Sequence, residues 1–434
     1  MDSGGREVAD GDVPTSRSGP PVLGEAKART ASAISIWIVL IISVTAWRKG
    51  AYFEGAFDTV VVAKAALQGG AFAMALLLRK VSPTAYPVAG GPLLAVLAVL
   101  AVSMIGALQA GGTTASGVLV VRIVLLMVTV VLLVSVFPRE HVLRQLVIAI
   151  GVVGAVLAIT GAGTVAAGGR LEGTLLPISP NELVLLCAVP ALAAIHRVLS
   201  GHATIGAVVA AVAYTLACVA TQSRTALLGV AVAIVVLVLS IRTIQRYVVV
   251  VMVASVPALF VVAAYTPLLG SLLNREGSTS NLTLNSRTIA WQVVLQTPVE
   301  SLQKWVGAGM SVKTVNVRGQ YWNEQVLDSS WVSALAQTGV IGTAILAVLV
   351  TAVLVATMRG GRRNALPVAL LVFLLIRAFL ETGLVDASVT FIVFISLAST
   401  FVPTSVPASG RVLPSDHLAP AGPSIRYGTH QKAS

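Results

Sequence analysis

Charged residues are scarce in this chain: Asp, Glu, Lys and Arg together make up 11% of its 434 residues. Soluble domains carry about 25%, so the composition excludes a cytosolic globular enzyme and a disordered chain. Hydrophobic residues reach 56%, which indicates a polytopic membrane protein because they occur in runs of about 20. The run 118–137 does not alternate between apolar and polar positions. It therefore predicts helices and excludes a β-barrel.

Cysteine is scarce as well. Cys187 and Cys218 both lie within apolar runs, and two such thiols provide neither a disulfide framework nor the spacing of a metal site. The segments assigned below to the outer face contain no Asp-x-Asp pair and no histidine cluster. We therefore expect no metal ion and no cofactor. No apolar stretch lies close to Met1, so no cleavable signal peptide is expected.

Twelve apolar segments between two polar tails predict an all-α polytopic membrane protein with about 12 transmembrane helices. Residues 1–30 and 403–434 are rich in Gly, Ser and Pro and are predicted to be disordered cytoplasmic tails. The transmembrane domain is predicted to span 31–402, and no internal repeat is visible in it. The apolar segments are 31–47, 58–78, 91–110, 117–137, 142–161, 180–199, 203–221, 225–241, 247–266, 331–357, 365–383 and 386–402.

The orientation follows from Lys and Arg in the connections between segments. With the N-terminus inside, the inner segments before the C-terminal tail carry 14 of these residues and the short outer loops carry 4. This asymmetry predicts a multi-pass protein of the cytoplasmic membrane with both termini cytoplasmic. The long polar connection 267–330, between helices 9 and 10, then lies outside. We expect it to be partly helical and to cover the outer mouth of the bundle, because it contains Trp291, Trp305, Tyr321 and Trp322.

Five basic residues fall in the outer halves of the predicted helices or at their outer ends. An ionisable residue within the membrane is costly and suggests a function, although each of these could also snorkel to the interface or pair with Glu54, Glu381 or Asp386. A cavity with several cations would suit a lipid-linked substrate that carries phosphate. The five residues are Lys64, Arg122, Arg170, Arg224 and Arg377.

Two of the predicted helices begin with capping sequences. Ser179-Pro180-Asn181-Glu182 fits a capping box with proline at the first helical position. In Thr221-Gln222-Ser223-Arg224, Ser223 is suited to cap the next helix, and Arg224 could grip phosphate oxygens beside the free N–H groups. For Ser179–Glu182 ordinary helix capping is the favoured interpretation, although Arg170 just upstream could still reach a ligand. For Thr221–Arg224 ordinary capping and anion binding stay equally open.

The outer connection contains three further features. Ser286 to Trp291 begin a short amphipathic helix, which could simply lie on the membrane surface. Gly307-Ala308-Gly309 predicts a flexible turn. Asp328, just before helix 10, could cap that helix or act as a base that faces the site. Spacing alone does not decide between these two roles.

In this order the motifs resemble the O-antigen ligase-like membrane proteins, which include the O-antigen ligases and the Wzy-type polysaccharide polymerases. The resemblance covers residues 150–345 well and the remaining layout more loosely. The residues that carry it are Arg170–Thr174, Pro180-Asn181, Ser223–Gly229, Arg287-x-x-x-Trp291, Gly307-x-Gly309, Asp328–Trp331 and Gln337–Gly342.

The resemblance implies a metal-independent glycosyltransferase that works at the outer face of the cytoplasmic membrane. Such an enzyme transfers glycan from an undecaprenyl-pyrophosphate-linked donor to a glycan or glycolipid acceptor. Its expected partners are these substrates and the surrounding membrane lipids, and no nucleic acid is expected. Arg224 and Arg287 match the pyrophosphate-binding arginines of the family. The catalytic residues expected here are Asp328, Arg287 and Arg224, and the expected substrate-binding residues are Arg170, Arg122, Arg377 and Trp291.

The chain departs from the family at one position. Members often carry a His-Asn pair before helix 10, where this chain has Asp328-Ser329. Asp328, or alternatively Glu324, would then accept the proton, and a lipopolysaccharide ligase is disfavoured. Two other functions stay open: a transporter or flippase of lipid-linked glycans, which often shows internal repeats and midplane polar sites, and a non-catalytic subunit that uses the outer loop for docking.

Overall fold

The computed structural model describes residues 23–48, 58–241, 289–317 and 324–401, which all belong to one compact unit. Eight of their helices are long and apolar enough to cross a membrane. This confirms the predicted fold class, an all-α polytopic membrane protein. The helices are α1 Leu23–Val44, α2 Thr59–Val81, α3 Gly90–Ala110, α4 Thr113–Val136, α5 Arg139–Ala166, α6 Pro180–Leu199, α7 Ile205–Ala220, α8 Arg224–Ile241, α9 Leu302–Val306, α10 Ser330–Met358, α11 Ala365–Ala378 and α12 Val389–Phe401.

The first helix differs from the sequence-based prediction. α1 begins at Leu23, so the last eight residues assigned to the N-terminal tail are helical. The stretch 23–30 contains Leu, Glu, Ala, Lys and Arg, which all favour helices although several of them are not apolar. An apolar run therefore marks where a helix can enter the membrane, but it does not mark where the helix starts. The predicted segment 247–266 lies outside the described residues.

The last two helices are shorter than their apolar segments. α11 ends at Ala378 and α12 begins at Val389, whereas the sequence predicted segments 365–383 and 386–402. The chain turns between them, where the N–H groups of Leu380 and Glu381 both donate to the Arg377 carbonyl. Gly383 follows with φ of 126°, a backbone conformation that other residues rarely adopt.

Most of the contacts that matter here occur at one end of the bundle, which we call the loop face. There α2, α4, α6, α8, α10 and α12 begin, and the other long helices end. The basic residues that the sequence assigned to inner connections lie at the helix ends opposite the loop face. In the described residues they are Lys27, Arg29, Arg79, Lys80, Arg139, Arg144, Arg197, Arg359, Arg362 and Arg363.

The described part of the outer connection is folded against α10. Residues 289–295 are helical and form what we call the loop helix. Strands β1 Thr314–Asn316 and β2 Glu324–Val326 pair antiparallel. Ala290 and Val294 on the loop helix are buried with Leu327 against the first turns of α10. The apolar face of the loop helix is therefore covered by protein.

A break in α10 is the docking point for the outer connection. Gly339 has φ of 63° and ψ of −167°, which interrupts the helix. Ala308 N–H donates to the Ala336 carbonyl at 2.9 Å, and Gly309 N–H donates to the Gln337 carbonyl at 3.1 Å. The outer connection, together with Ser103 Oγ, which donates to the Gln337 carbonyl at 3.1 Å, thus satisfies backbone carbonyls at the break in the helix.

The glycines around Ala308 permit this close approach. Gly307 has φ of 76°, and a Cβ placed on it would lie 2.3 Å from the Gln337 carbonyl carbon. A Cβ on Gly309 would meet the hydroxyl of Ser116 at 2.5 Å. The expected flexible turn is therefore a docked segment, and its glycines are needed because no side chain fits there.

Candidate functional site

Asn181 joins three helices on the loop face. Its Oδ1 accepts a hydrogen bond from Ser223 Oγ at 2.8 Å, at the start of α8. Its Nδ2 donates to the carboxylate of Glu381, just after α11. Its backbone carbonyl accepts a hydrogen bond from Arg377 at 3.0 Å. One side chain and its carbonyl therefore fix the relative positions of α6, α8 and α11.

The start of α6 holds Asn181 in place. Ser179 Oγ accepts from the Glu182 N–H at 3.3 Å, and Pro180 occupies the first helical position. This half of the predicted capping box is confirmed. The Glu182 carboxylate does not complete the box: no described contact joins it to the Ser179 N–H, and one of its oxygens is buried without a hydrogen-bond partner among the described residues.

Arg377 is held by the protein itself. It is 4% exposed, and its two terminal nitrogens donate to the Asn181 carbonyl and, at 2.8 Å, to Thr390 Oγ1. A cavity of about 30 Å³ lies beside it, lined in part by Glu182 and Ser388. In this arrangement Arg377 positions α6 and α12 through its two terminal nitrogens, while its Nε is buried without a partner among the described residues.

Arg224 is in a different situation from Arg377. It is exposed at the start of α8 and makes no hydrogen bond or ion pair with any residue that the structure describes. Arg170 Nε donates to the Thr221 carbonyl at 2.9 Å, in the turn just before Arg224. Gln222 in that turn has φ of 52°, which is uncommon for a residue other than glycine. Two guanidinium groups therefore flank one turn, and that of Arg224 is available to a ligand.

The hydroxyl of Ser223 has a different role from the predicted cap. It donates to Asn181, so it joins α8 to α6. The Ser223 carbonyl accepts from Leu227 N–H at 2.9 Å, as expected of a residue at the cap position. The start of α8, and with it Arg224, is thereby anchored to the Asn181 cluster.

Asp328 lies next to this cluster. It is half-buried and precedes Ser329 and Ser330 at the start of α10. The Ser330 hydroxyl donates to the Glu381 carbonyl at 2.7 Å, and the Ser330 N–H donates to it at 3.0 Å. Asp328 is therefore two residues from a contact with Glu381, whose carboxylate binds Asn181. Glu324, the alternative base, is exposed in β2.

The other predicted site residues lie elsewhere. Arg122 is buried on α4, where its Nε donates to Gln68 Oε1 at 3.2 Å, and Lys64 lies 5.9 Å from the Trp47 ring. Trp291 packs in the cluster between the loop helix and α10. Arg287 lies outside the described residues. The structure thus brings Arg170, Arg224, Arg377 and Asp328 to one region.

Three residues with clear roles here were not predicted as site residues. Gln68 is a single amide in the apolar run of α2, four residues after Lys64, and that helical spacing could have identified it. Asn181 was noticed only in a capping motif. Thr390 carries no signal in the sequence, because its role depends on the long-range approach of Arg377.

Residues 209–347, about a third of the chain, match the family model described as O-Antigen ligase. The chain has an O-antigen ligase domain. The resemblance predicted from the sequence motifs is thereby confirmed. None of the curated proteins compared with the chain matches it.

The O-antigen ligase domain coincides with one part of the site. It starts within α7 and ends within α10, so it includes Arg224, the outer connection, Asp328 and the break at Gly339. The match supports a ligase- or polymerase-type membrane enzyme of polysaccharide assembly. Asn181 and Arg377, which hold Arg224 and Asp328 in position, lie outside the matched stretch.

Proposed function

We propose that the chain transfers glycan from an undecaprenyl-pyrophosphate donor to a hydroxyl of a second glycan, at the outer face of the cytoplasmic membrane. The single observation that carries this proposal is the exposed Arg224 at the helix start anchored by Asn181, beside Arg170. Guanidinium groups bind two phosphate oxygens at once, and a helix N-terminus adds backbone N–H donors. A pyrophosphate at this position would be gripped by both.

The reaction needs stabilisation of its leaving group. The acceptor oxygen bonds to the anomeric carbon of the donor sugar, and the bond from that carbon to the pyrophosphate oxygen breaks. The electron pair leaves with the pyrophosphate, and the hydroxyl proton passes to a base, for which we propose Asp328. Fixed cations at the leaving group act most strongly in the transition state. Arg224, with Arg287 and Arg170, would supply them without a metal ion.

The break in α10 is relevant to the alternative, a transporter or flippase. Transporters often use broken helices whose free termini bind the substrate. Here the carbonyls of Ala336 and Gln337 at the break already accept hydrogen bonds from Ala308 and Gly309. The break therefore serves to dock the outer connection, which favours the enzyme over the transporter.

The test compares Arg224→Ala with Arg197→Ala, an exposed arginine at the opposite end of α6. Each purified full-length protein is reconstituted with radiolabelled undecaprenyl-pyrophosphate glycan, with and without a chelator. We expect wild type and R197A to form longer or transferred glycan in both conditions. R224A should be about 100-fold slower or worse, as when one donor to a developing anion is removed.

Three results would contradict the proposal. R224A could turn over like wild type, a chelator could stop the reaction, or the wild type could move the lipid-linked glycan across the bilayer without a covalent product. The last result would identify a flippase. Thermal unfolding of each variant shows whether a slow protein is still folded.

A further inference from the structure

Three large apolar side chains lie on the surface of the outer connection. Val299 is 62% exposed, Leu302 49% and Trp305 42%. Leu302 and Trp305 are three residues apart in α9, so they share one face of this short helix. The Trp305 indole N–H donates to the Val299 carbonyl at 3.0 Å, which holds Val299 beside α9. We call these three side chains the apolar patch, and a patch of this kind marks an interaction surface.

The break in α10 gives the height of the apolar patch in the bundle. A Cβ on Gly339 would meet the backbone carbonyl of Trp305, so Trp305 contacts the break. From Gly339 to Met358, α10 rises about 28 Å at 1.5 Å per residue, and the hydrocarbon core of a bilayer is about 30 Å thick. Since the charged Arg359 follows Met358 and marks one boundary of the core, the break lies at the other boundary. Trp305 therefore lies there as well.

α3 indicates the same height. A Cβ on Gly106 would lie 2.5 Å from the Gly307 carbonyl oxygen, and Gly106 is four residues, or about 6 Å, before the end of α3 at the loop face. Ile105 and Leu108 on this helix are 51% and 68% exposed, and the helix is apolar enough to cross a membrane. Residues 305–307 therefore lie at a height where α3 exposes apolar side chains to lipid.

The backbone that follows α9 suits a position below the membrane surface. Residues 307–310 are not helical, yet all of them are buried. The N–H groups of residues 307–309 each donate to a backbone carbonyl of α9 or α10. Non-helical backbone at membrane depth is tolerated only where protein buries it and satisfies its polar groups. This segment meets that requirement, so it can enter the membrane from the loop face and leave it on the same side.

The polar groups next to the apolar patch are already satisfied by the protein. The indole N–H of Trp305 is bound to the Val299 carbonyl, and Lys304 Nζ donates to the Leu295 carbonyl at 2.7 Å, at the end of the loop helix. Entry of the patch into lipid would therefore leave neither group without a partner. Tryptophan is also enriched at the boundary between membrane and water, because its ring is large and mostly apolar.

We propose that the apolar patch inserts into the lipid leaflet at the loop face and makes residues 298–309 a re-entrant membrane anchor for the outer connection. The partner is the lipid of that leaflet, with acyl chains against Val299 and Leu302 and the Trp305 ring at the boundary with the headgroups. The anchor would hold the outer connection, and Asp328 at its end, at a fixed height relative to the membrane. This inference goes beyond the proposed function and does not depend on it.

Spin labels on single cysteines test the proposal with the full-length protein in nanodiscs of phosphatidylcholine and phosphatidylglycerol. A label on Leu302→Cys reports its collisions with oxygen, which enters lipid, and with a water-soluble nickel complex, which does not. Leu108→Cys on α3 is the lipid-facing control, and Gln292→Cys, exposed on the loop helix, is the control in water. The native Cys187 and Cys218 are buried, and labelling of the unsubstituted protein measures any background from them.

The expected result is a ratio of oxygen to nickel collisions in L302C that equals the ratio in L108C. It should exceed the ratio in Q292C about 10-fold or more, because a polar reagent is strongly disfavoured in apolar surroundings. V299C should give the same result as L302C, so the conclusion does not depend on one label. Both side chains are largely exposed, so we expect both labelled variants to unfold at the wild-type temperature.

Two results would overturn the proposal. A ratio in L302C and V299C equal to that in Q292C would place the apolar patch in water. Few collisions with either reagent would show that protein covers the patch, whether another part of the chain or a second copy. Neither result would affect the glycan-transfer assay of R224A, so failure of the anchor and failure of the proposed function are distinguishable.

Discussion

Replacing Gly307 with alanine is expected to release the outer connection from α10. The added Cβ would lie 2.3 Å from the carbonyl carbon of Gln337 and 2.4 Å from its oxygen, and neither backbone atom can move aside as a flexible side chain could. In addition, Gly307 has φ of 76° with ψ of −164°, a backbone region essentially restricted to glycine, which costs another residue about 1–3 kcal/mol. Overpacking adds about 1–3 kcal/mol, so the docked state should lose about 2–6 kcal/mol in total.

Gly201→Ala provides the matched control. Gly201 has φ of 78°, and a Cβ there would meet no atom within 4 Å. It also lies between α6 and α7, at the end of the bundle opposite the loop face. Gly201→Ala should therefore show the cost of a positive φ without a close contact, and the difference between the two variants reports the close contact with α10 together with the ψ of −164° at Gly307.

Hydrogen exchange at two amides measures this difference directly. The N–H groups of Ala308 and Gly309 donate to α10 across the interface, so they exchange when the outer connection opens. A loss of about 1–3 kcal/mol beyond the control should speed their exchange roughly 5- to 150-fold, at 1.4 kcal/mol for each factor of ten. Equal exchange at these amides in Gly307→Ala and Gly201→Ala would refute the close packing of this segment on α10. We also expect G307A to lower glycan transfer, because the outer connection leads to Asp328.

Two further predictions concern the contacts that hold the loop face together. Asn181→Ala removes hydrogen bonds to both Ser223 and Glu381 and should lower the free energy of unfolding by about 1–3 kcal/mol. We expect a lower unfolding temperature together with slower glycan transfer. An unchanged unfolding temperature would show that the Asn181 cluster does not stabilise the position of α8. Lys313→Glu replaces the partly buried ion pair with Asp386 by two like charges, so it should cost more than the roughly 1 kcal/mol of an exposed pair and speed proteolysis of the outer connection. The swap K313E/D386K should restore the wild-type cleavage rate, and no restoration would mean that the pair does not hold the outer connection.

The spans were predictable because a membrane helix needs a long apolar run, and such a run can be recognised from consecutive residues of the sequence. Where the structure and the prediction differ, another local rule applied. The first turns of α1 are helical because of the helix propensity of residues 23–30, although these residues form no apolar run. α11 and α12 are shorter than their apolar segments because the chain turns at Glu381 and Gly383.

The docking of the outer connection could not be predicted in the same way. Gly307 and Gly309 are typical of a flexible turn, and no neighbouring residue in the sequence indicates a contact with the break at Gly339. The contact joins positions about thirty residues apart. The reason that these positions are glycine is visible only in the fold, where neighbouring parts of the chain approach so closely that they leave no space for a Cβ.

The candidate site shows the same limit for charged residues. Arg224 and Arg377 have similar sequence signals, since each is a lone arginine near one end of an apolar run. Their roles differ because of acceptors that come from distant parts of the chain. Arg377 meets Thr390 and the Asn181 carbonyl, whereas no described residue offers Arg224 such an acceptor. A basic residue near a membrane surface is therefore available to a ligand only where the fold leaves its donors unused.

This distinction decides how loss-of-activity data on these arginines should be interpreted. Removing Arg377 would release Asn181, and Asn181 anchors the start of α8, so glycan transfer would fall without any loss of a direct substrate contact. Removing Arg224 would lower transfer through the substrate itself and leave the Asn181 cluster intact. Activity alone would give both arginines the same role. The unfolding temperature separates them, because only the arginine whose donors are bound within the protein contributes to the packing of α6, α11 and α12.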